Sequence, residues 1–163
     1  YFKFAIVRNT YDRIWSIYCY FSSGGNQQKL QTLTDYYYHY KNRVLNFPYY
    51  TDLEISQKMP PTFHEFCEIY LKDGMPFFRS YALQSQLDYI SVNGKIQVDF
   101  VGKFDCLQND YLKVAKQLGL QENLPHLRKS QSKSHYSEFY SDKTKKIVEN
   151  YYQEEISYFR FKF

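Results

Sequence analysis

The chain opens on β-formers, Tyr1-Phe2-Lys3-Phe4-Ala5-Ile6-Val7, and the unbroken apolar run from Phe4 to Val7 predicts an inner strand of a parallel sheet covered on both faces. The strand ends at Arg8. Asn9 or Thr10 can cap a helix whose apolar stripe is Tyr11, Ile14, Trp15, Tyr18 and Phe21, with Asp12 in the favourable first turn. Ser22-Ser23-Gly24-Gly25-Asn26 breaks that pattern. From Gln27 to Pro61 the periodicity is scattered, and a helical or loop insertion is expected. Thr62-x-x-Glu65 is a capping box, followed by Phe63, Phe66, Cys67 and Tyr70 and closed by Gly74, which predicts a helix over 62–73. Asn93-Gly94 predicts a tight turn between Tyr89-Ile90-Ser91-Val92 and a second core strand, Ile96-Gln97-Val98-Asp99-Phe100-Val101. Leu107, Tyr111, Leu112, Ala115 and Leu118 then fall at helical spacing before Gly119. Pro125 to Tyr140 reads as polar, basic and irregular. Ser141-Asp142 caps a last helix carrying Val148, Tyr151, Tyr152, Ile156 and Phe159. Strand, short loop and helix thus occur twice in succession, which favours an α/β layer architecture. With no internal repeat and no dividing linker, residues 1–163 read as one domain.

Composition adds one unusual feature. Hydrophobic residues are 44% and charged residues 23%, ordinary for a globular protein, but 21% are aromatic, with nineteen Tyr and fourteen Phe. Tyr36-Tyr37-Tyr38 and Tyr49-Tyr50 suit either core packing or a groove that stacks on sugar rings. The net charge of +4 is concentrated between Arg128 and Lys146, where six Lys or Arg stand against Glu138 and Asp142. Such a stretch can be a solvated face or can attract a phosphate, a sulfate or a polyanion. The surplus is too small, and too irregular, for a nucleic-acid partner. Cys19, Cys67 and Cys106 form neither a zinc cluster nor a redox pair, and each is expected to be a small buried hydrophobe. No apolar run reaches the roughly 18 residues of a membrane span. Because the first strand has no lead-in, further sequence upstream is expected.

The chemistry is concentrated in Ala5-Ile6-Val7-Arg8-Asn9-Thr10-Tyr11-Asp12-Arg13-Ile14-Trp15-Ser16. An Arg at the carboxyl end of a parallel strand points into the crevice where open α/β sheets bind ligands, and the following helix turns its amides the same way. Ser16 falls outside the apolar stripe. A planar guanidinium and a hydroxyl at a second angle suit a phosphate. The same two residues would serve equally as a surface ion-pair partner and a solvent-facing helix position.

This segment resembles the 3′-phosphate-binding strand and helix of sulfotransferases, most closely the carbohydrate branch (Golgi-type and bacterial sulfotransferase family 2), whose wording is Val-Arg-Asn-Pro-Tyr-Asp-Arg followed by Ser. Thr10 stands in place of the usual Pro, a small change because Pro there only preorganises a first helical turn. Gln84-Ser85-Gln86-Leu87-Asp88-Tyr89-Ile90 is similar to the branch's Gln-containing segment. Asp99-Phe100-Val101-Gly102-Lys103-Phe104-Asp105-Cys106-Leu107 resembles its Val-Gly-Arg-Phe-Glu-x-Leu. Leu124-Pro125-His126-Leu127-Arg128-Lys129-Ser130, with Tyr136, Tyr140 and the closing helix, resembles its Pro-His-Leu-Asn-Lys-Ser and Tyr-Tyr elements. The four stretches run in the family's order over nearly the whole chain. The resemblance implies a P-loop-NTPase-like sulfotransferase fold, a parallel sheet flanked by helices, here a partial domain. It also implies transfer of a sulfonyl group from 3′-phosphoadenosine 5′-phosphosulfate, without a metal, to a hydroxyl of a sugar or glycan. Arg8 and Ser16 would contact the donor's 3′-phosphate; Lys129, Ser130 and Lys133 would sit in a lid over it; Phe104 would pack near the adenine or simply belong to the core.

The family's other half-site, a Gly/Ser/Thr/Lys-rich loop after a first strand that cradles the 5′-phosphosulfate, has no counterpart in the sequence. The base that takes the acceptor proton is expected upstream of Tyr1. His39 and His64 read as surface or helix residues, and His126 and His135 belong to the basic stretch. On this reading the chain alone would be inactive. A bacterial relative would be cytoplasmic and an animal one would face the Golgi lumen; the few cysteines tilt towards the former. The rivals are a noncatalytic polyanion- or glycan-binding module of the same fold, and a nucleotide-dependent kinase, which would need acidic residues placed for magnesium.

Overall fold

The apolar run after Lys3 forms strand β1 (Phe4–Val7), which pairs in parallel with β4 (Phe100–Lys103) in the register Phe4 to Phe100 through Val7 to Lys103. The computed structural model describes residues 1–22, 59–60, 62–74, 80–121, 124 and 134–163. The remaining elements, in chain order, are α1 (Thr10–Ser22), α2 (Phe63–Cys67), α3 (Ser80–Leu83), α4 (Gln86–Ile90), β2 (Ser91–Val92), β3 (Lys95–Ile96), α5 (Leu107–Leu118), α6 (Asp142–Tyr151) and α7 (Gln153–Phe159). The protein is therefore mixed α and β, with a small parallel sheet among the described residues. Two compact units divide it: Tyr1–Arg13, Gln84–Glu138 and Tyr152–Phe163 in the first, Ile14–Leu83 and Phe139–Tyr151 in the second.

In the first unit the core is Val7, Ile90, Phe159 and Phe161, with Ala5, Leu87, Ile96, Val98, Val101 and Ile156 packed against it. Only Val7 of β1 is buried, and Phe4 is exposed, so the strand is less covered than its apolar run predicts. Asn93 and Gly94 both take positive φ, 52° and 72°, and close the β2–β3 hairpin as a two-residue turn requires. The flanking runs are divided differently from the alternation: Tyr89 and Ile90 finish α4, and 96–101 splits between β3 and β4. The split falls at Asp99, whose carboxylate and N–H both bond to the backbone of Lys3 at 2.8 Å, turning the chain into its pairing with β1. Gly102 must be a glycine for reasons of space: a Cβ there would lie 2.6 Å from Ile6 Cδ1 and 2.9 Å from Asp110 Cβ. Helix α5 ends at Gly119 (φ 64°), as expected, but it buries Asp110, Val114 and Ala115, leaving Leu118 exposed.

In the second unit the Thr62 box forms in full, its hydroxyl accepting from Glu65 N and the Glu65 carboxylate accepting from Thr62 N. The helix it starts is α-helical only to Cys67; Glu68–Lys72 is a π-helical turn, with Asp73 N bonded to Glu68 O at 2.8 Å. Phe63, Phe66, Cys67, Tyr70 and Leu71 are buried there, as are Ile147 and Val148 of α6. Trp15 stacks on Phe139 at 4.1 Å and meets Phe63 edge-on at 5.1 Å, so part of the aromatic excess is core packing. Ser141 caps α6 through a 3.2 Å bond from Thr144 N. The predicted single last helix breaks at Tyr152 into α6 and α7, with Tyr152 buried and Tyr151 exposed. Of the cysteines only Cys67 is buried; Cys19 and Cys106 are exposed, correcting the expectation for those two. The Tyr36 and Tyr49 clusters, His39, His126 and the Ser23–Asn26 break lie outside the described residues.

Candidate functional site

Parallel pairing brings the carboxyl ends of β1 and β4 together, so Arg8 and Phe104 follow the paired residues Val7 and Lys103. The Arg8 guanidinium carbon lies 4.9 Å from the centre of the Phe104 ring. Phe104 is exposed, not a core residue. Asp12, one helical turn beyond, accepts from Arg8 Nε at 2.5 Å and from Nη2 at 3.0 Å, holding the guanidinium plane by two bonds. A guanidinium has five N–H donors, and this carboxylate takes two. The ion pair is half-buried, the side chains keeping 32% and 22% of their exposure, so it is neither a freely solvated bridge nor a sealed one.

The backbone of Arg8 is held as firmly as its side chain. Its N–H donates to Gln86 Oε1 at 2.8 Å and its carbonyl accepts from Gln86 Nε2 at 2.9 Å. Asn9 is buried and caps α1: its Oδ1 accepts from Tyr11 N at 3.1 Å, while its Nδ2 donates to Lys162 O at 2.7 Å and to Tyr136 Oη at 3.3 Å. Burial pushes the Tyr136 phenol above its ordinary pKa, and the charges of Asp12 and Asp105 act in the same direction. Tyr136 therefore remains a neutral hydroxyl beside Asn9 across the ordinary pH range.

Ser16 is half-buried on α1, four residues after Asp12 and hence on the same stripe of that helix. Lys129, Ser130 and Lys133 lie outside the described residues. His64 sits on α2, with Nδ1 2.9 Å from Thr144 Oγ1 and Nε2 3.6 Å from Glu68, and His135 is exposed beside Ser137. Both are accounted for by local packing. Among the described residues no group of three or more His, Cys, Asp or Glu is arranged to hold a metal ion, and no helix is long and apolar enough to cross a membrane.

Sequence reasoning gave no site role to Asp12 as the partner of Arg8, to Gln86 and Tyr136, which entered only through the resemblance, or to Glu155. The first had a signal, since Arg8 and Asp12 stand at the i,i+4 spacing of helical ion pairs. Glu155 had none: it is only 1% exposed yet reads as one of two adjacent acids in a helix.

Comparison with known proteins gives no match, whether to a family model, to a curated protein or to a solved structure.

Proposed function

We propose that the protein is a sulfotransferase of P-loop-NTPase-like fold, moving a sulfonyl group from 3′-phosphoadenosine 5′-phosphosulfate to a carbohydrate hydroxyl. The observation that carries this reading is the placing of Arg8 and Phe104 side by side at the carboxyl ends of two parallel strands. The ligand-binding crevices of open α/β sheets lie at such ends, and a fixed guanidinium beside an exposed ring matches a ligand that joins a phosphate to a purine. Arg8 receives the 3′-phosphate, with Ser16 as the expected second contact; Phe104 stacks near the adenine; Lys129, Ser130 and Lys133 supply further contacts. In the reaction the acceptor oxygen attacks sulfur, the bond from sulfur to the 5′-phosphate oxygen breaks, and adenosine 3′,5′-bisphosphate leaves. The acceptor proton passes to a general base. Transfer of label from sulfur-labelled donor to a mixed glycan pool by the full-length protein tests the reading; labelled glycan is expected, and its absence alongside tight binding of a glycan would contradict it.

A second reading, a noncatalytic polyanion- or glycan-binding module, is favoured by one observation. In the second unit a groove of about 510 Å³ is lined by Lys72, Lys143 and Lys146, by Leu71 and Ile147, and by the exposed Tyr151. Lys72 and Lys143 both reach Glu68, whose carboxyl is held below its ordinary pKa chiefly by the bond from Lys143. Sulfated-oligosaccharide binding that Lys146→Glu abolishes, in a protein that ignores adenosine 3′,5′-bisphosphate, would select this alternative.

A further inference from the structure

The carboxylate of Glu155 is buried, which is costly for a charge unless its lone pairs are filled. They are: Thr10 Oγ1 donates at 2.6 Å, Ser85 Oγ at 2.9 Å, Gln86 N at 2.6 Å and Gln86 Nε2 at 2.8 Å, and Arg13 Nη2 lies 3.5 Å away. These donors come from the start of α1, just after the Arg8–Asn9 step, and from the residues that open α4. The bond from Gln86 Nε2 has a particular consequence. A carboxamide can face either way, but with its NH2 group held by Glu155 its oxygen must turn towards Arg8 N–H, and the same NH2 group reaches Arg8 C=O. Gln86 thus pairs with the Arg8 peptide as a neighbouring strand would, one residue beyond the last β1–β4 pair.

We propose that Gln86 is a positioning residue of the Arg8 anion site, and that Glu155 sets its orientation. The inference rests on the donor-site reading above. Arg8 stands between the end of β1 at Val7 and the start of α1 at Thr10, so rotation of its backbone would swing the guanidinium away from Phe104 and Asp12. Held by two bonds to Gln86, with Thr10 tied to the same carboxylate, the peptide is fixed before any ligand arrives, and phosphate binding need not order it. A purely structural staple would instead affect stability and leave ligand discrimination alone.

The test is the ratio of affinities for adenosine 3′,5′-bisphosphate and adenosine 5′-phosphate, measured by calorimetry on full-length protein below its melting transition. Gln86→Met keeps length and bulk while removing both bonds to Arg8; Glu155→Gln keeps shape and removes the charge. We expect the ratio to fall by about tenfold in Gln86→Met, the scale of a lost charge-assisted contact, with circular dichroism showing a folded protein. A folded Gln86→Met protein with the wild-type ratio overturns the inference, and this arm decides the matter if Glu155→Gln does not fold. If wild-type protein shows no preference for the bisphosphate, or Arg8→Ala loses none, the donor-site reading fails and takes the inference with it. Arg8-dependent preference with an indifferent Gln86 sinks the inference alone.

Discussion

Arg8 and Phe104 leave adjacent parallel strands directly after the Val7–Lys103 pair, and the guanidinium of one lies over the ring of the other at 4.9 Å. The strand register creates this contact, because two residues nearly a hundred positions apart become neighbours only when their strands run in the same direction and end together.

Replacing Phe104 by Ala should therefore weaken adenosine-nucleotide binding more than it weakens the fold. The ring is 45% exposed, so its removal leaves no cavity, and the cation–π contact amounts to roughly 0.5–1 kcal/mol at such a site. Urea denaturation with parallel nucleotide titration checks this; a large stability loss with unchanged binding would make Phe104 a packing residue.

Gly102→Ala should destabilise the first unit by about 1–3 kcal/mol, the usual cost of overpacking. The tip of the Ile6 side chain can give way, but Asp110 Cβ, 2.9 Å from the added methyl, is fixed to α5. Thermal unfolding of the variant measures the effect, and an unchanged melting temperature would show that β4 and α5 can separate at no cost.

Asp110 gives a prediction about pH. The ammonium of Lys113, at 2.7 Å, holds its carboxyl below the ordinary value, and the Lys103 N–H, at 2.8 Å, adds to this. Since the folded-state pKa is the lower one, the stabilisation is complete above the unfolded value of about 4 and is lost as pH falls through the folded value. Asp110→Asn should consequently cost about 1–2 kcal/mol at neutral pH, and the gap to wild type should narrow below about pH 4. Denaturant midpoints across pH 3 to 7 test both halves, and a gap that widens on acidification would contradict the sign.

Much of this architecture is legible in local patterns. The Asn9 cap, the Thr62 box, the Asn93-Gly94 turn and the Gly119 terminus all form where short-range chemistry predicts them, because each depends on residues within one turn of chain. The features that escape are those set at long range. Glu155 reads as a surface acid because its partners Thr10, Ser85 and Gln86 are 69 to 145 residues away. Asp110 is a different case: its partners Lys103 and Lys113 are close in sequence, but its burial depends on how the start of α5 packs back on β4, which helical spacing alone does not give. The π-helical turn at Glu68–Lys72 carries an apolar spacing that an α-helix would share, and the break at Tyr152 interrupts a continuous helical pattern. The Arg8 segment is legible as a candidate anion site; its clamp by Gln86 is visible only once the chain is folded.

The account depends most on Arg8 recognising a 3′-phosphate. Calorimetric titration of wild type and Arg8→Ala with adenosine 3′,5′-bisphosphate and with adenosine 5′-phosphate measures that directly. The predicted result is a loss of about tenfold or more for the bisphosphate and little change for the monophosphate. Equal losses for both ligands, or no loss for either, would contradict the assignment.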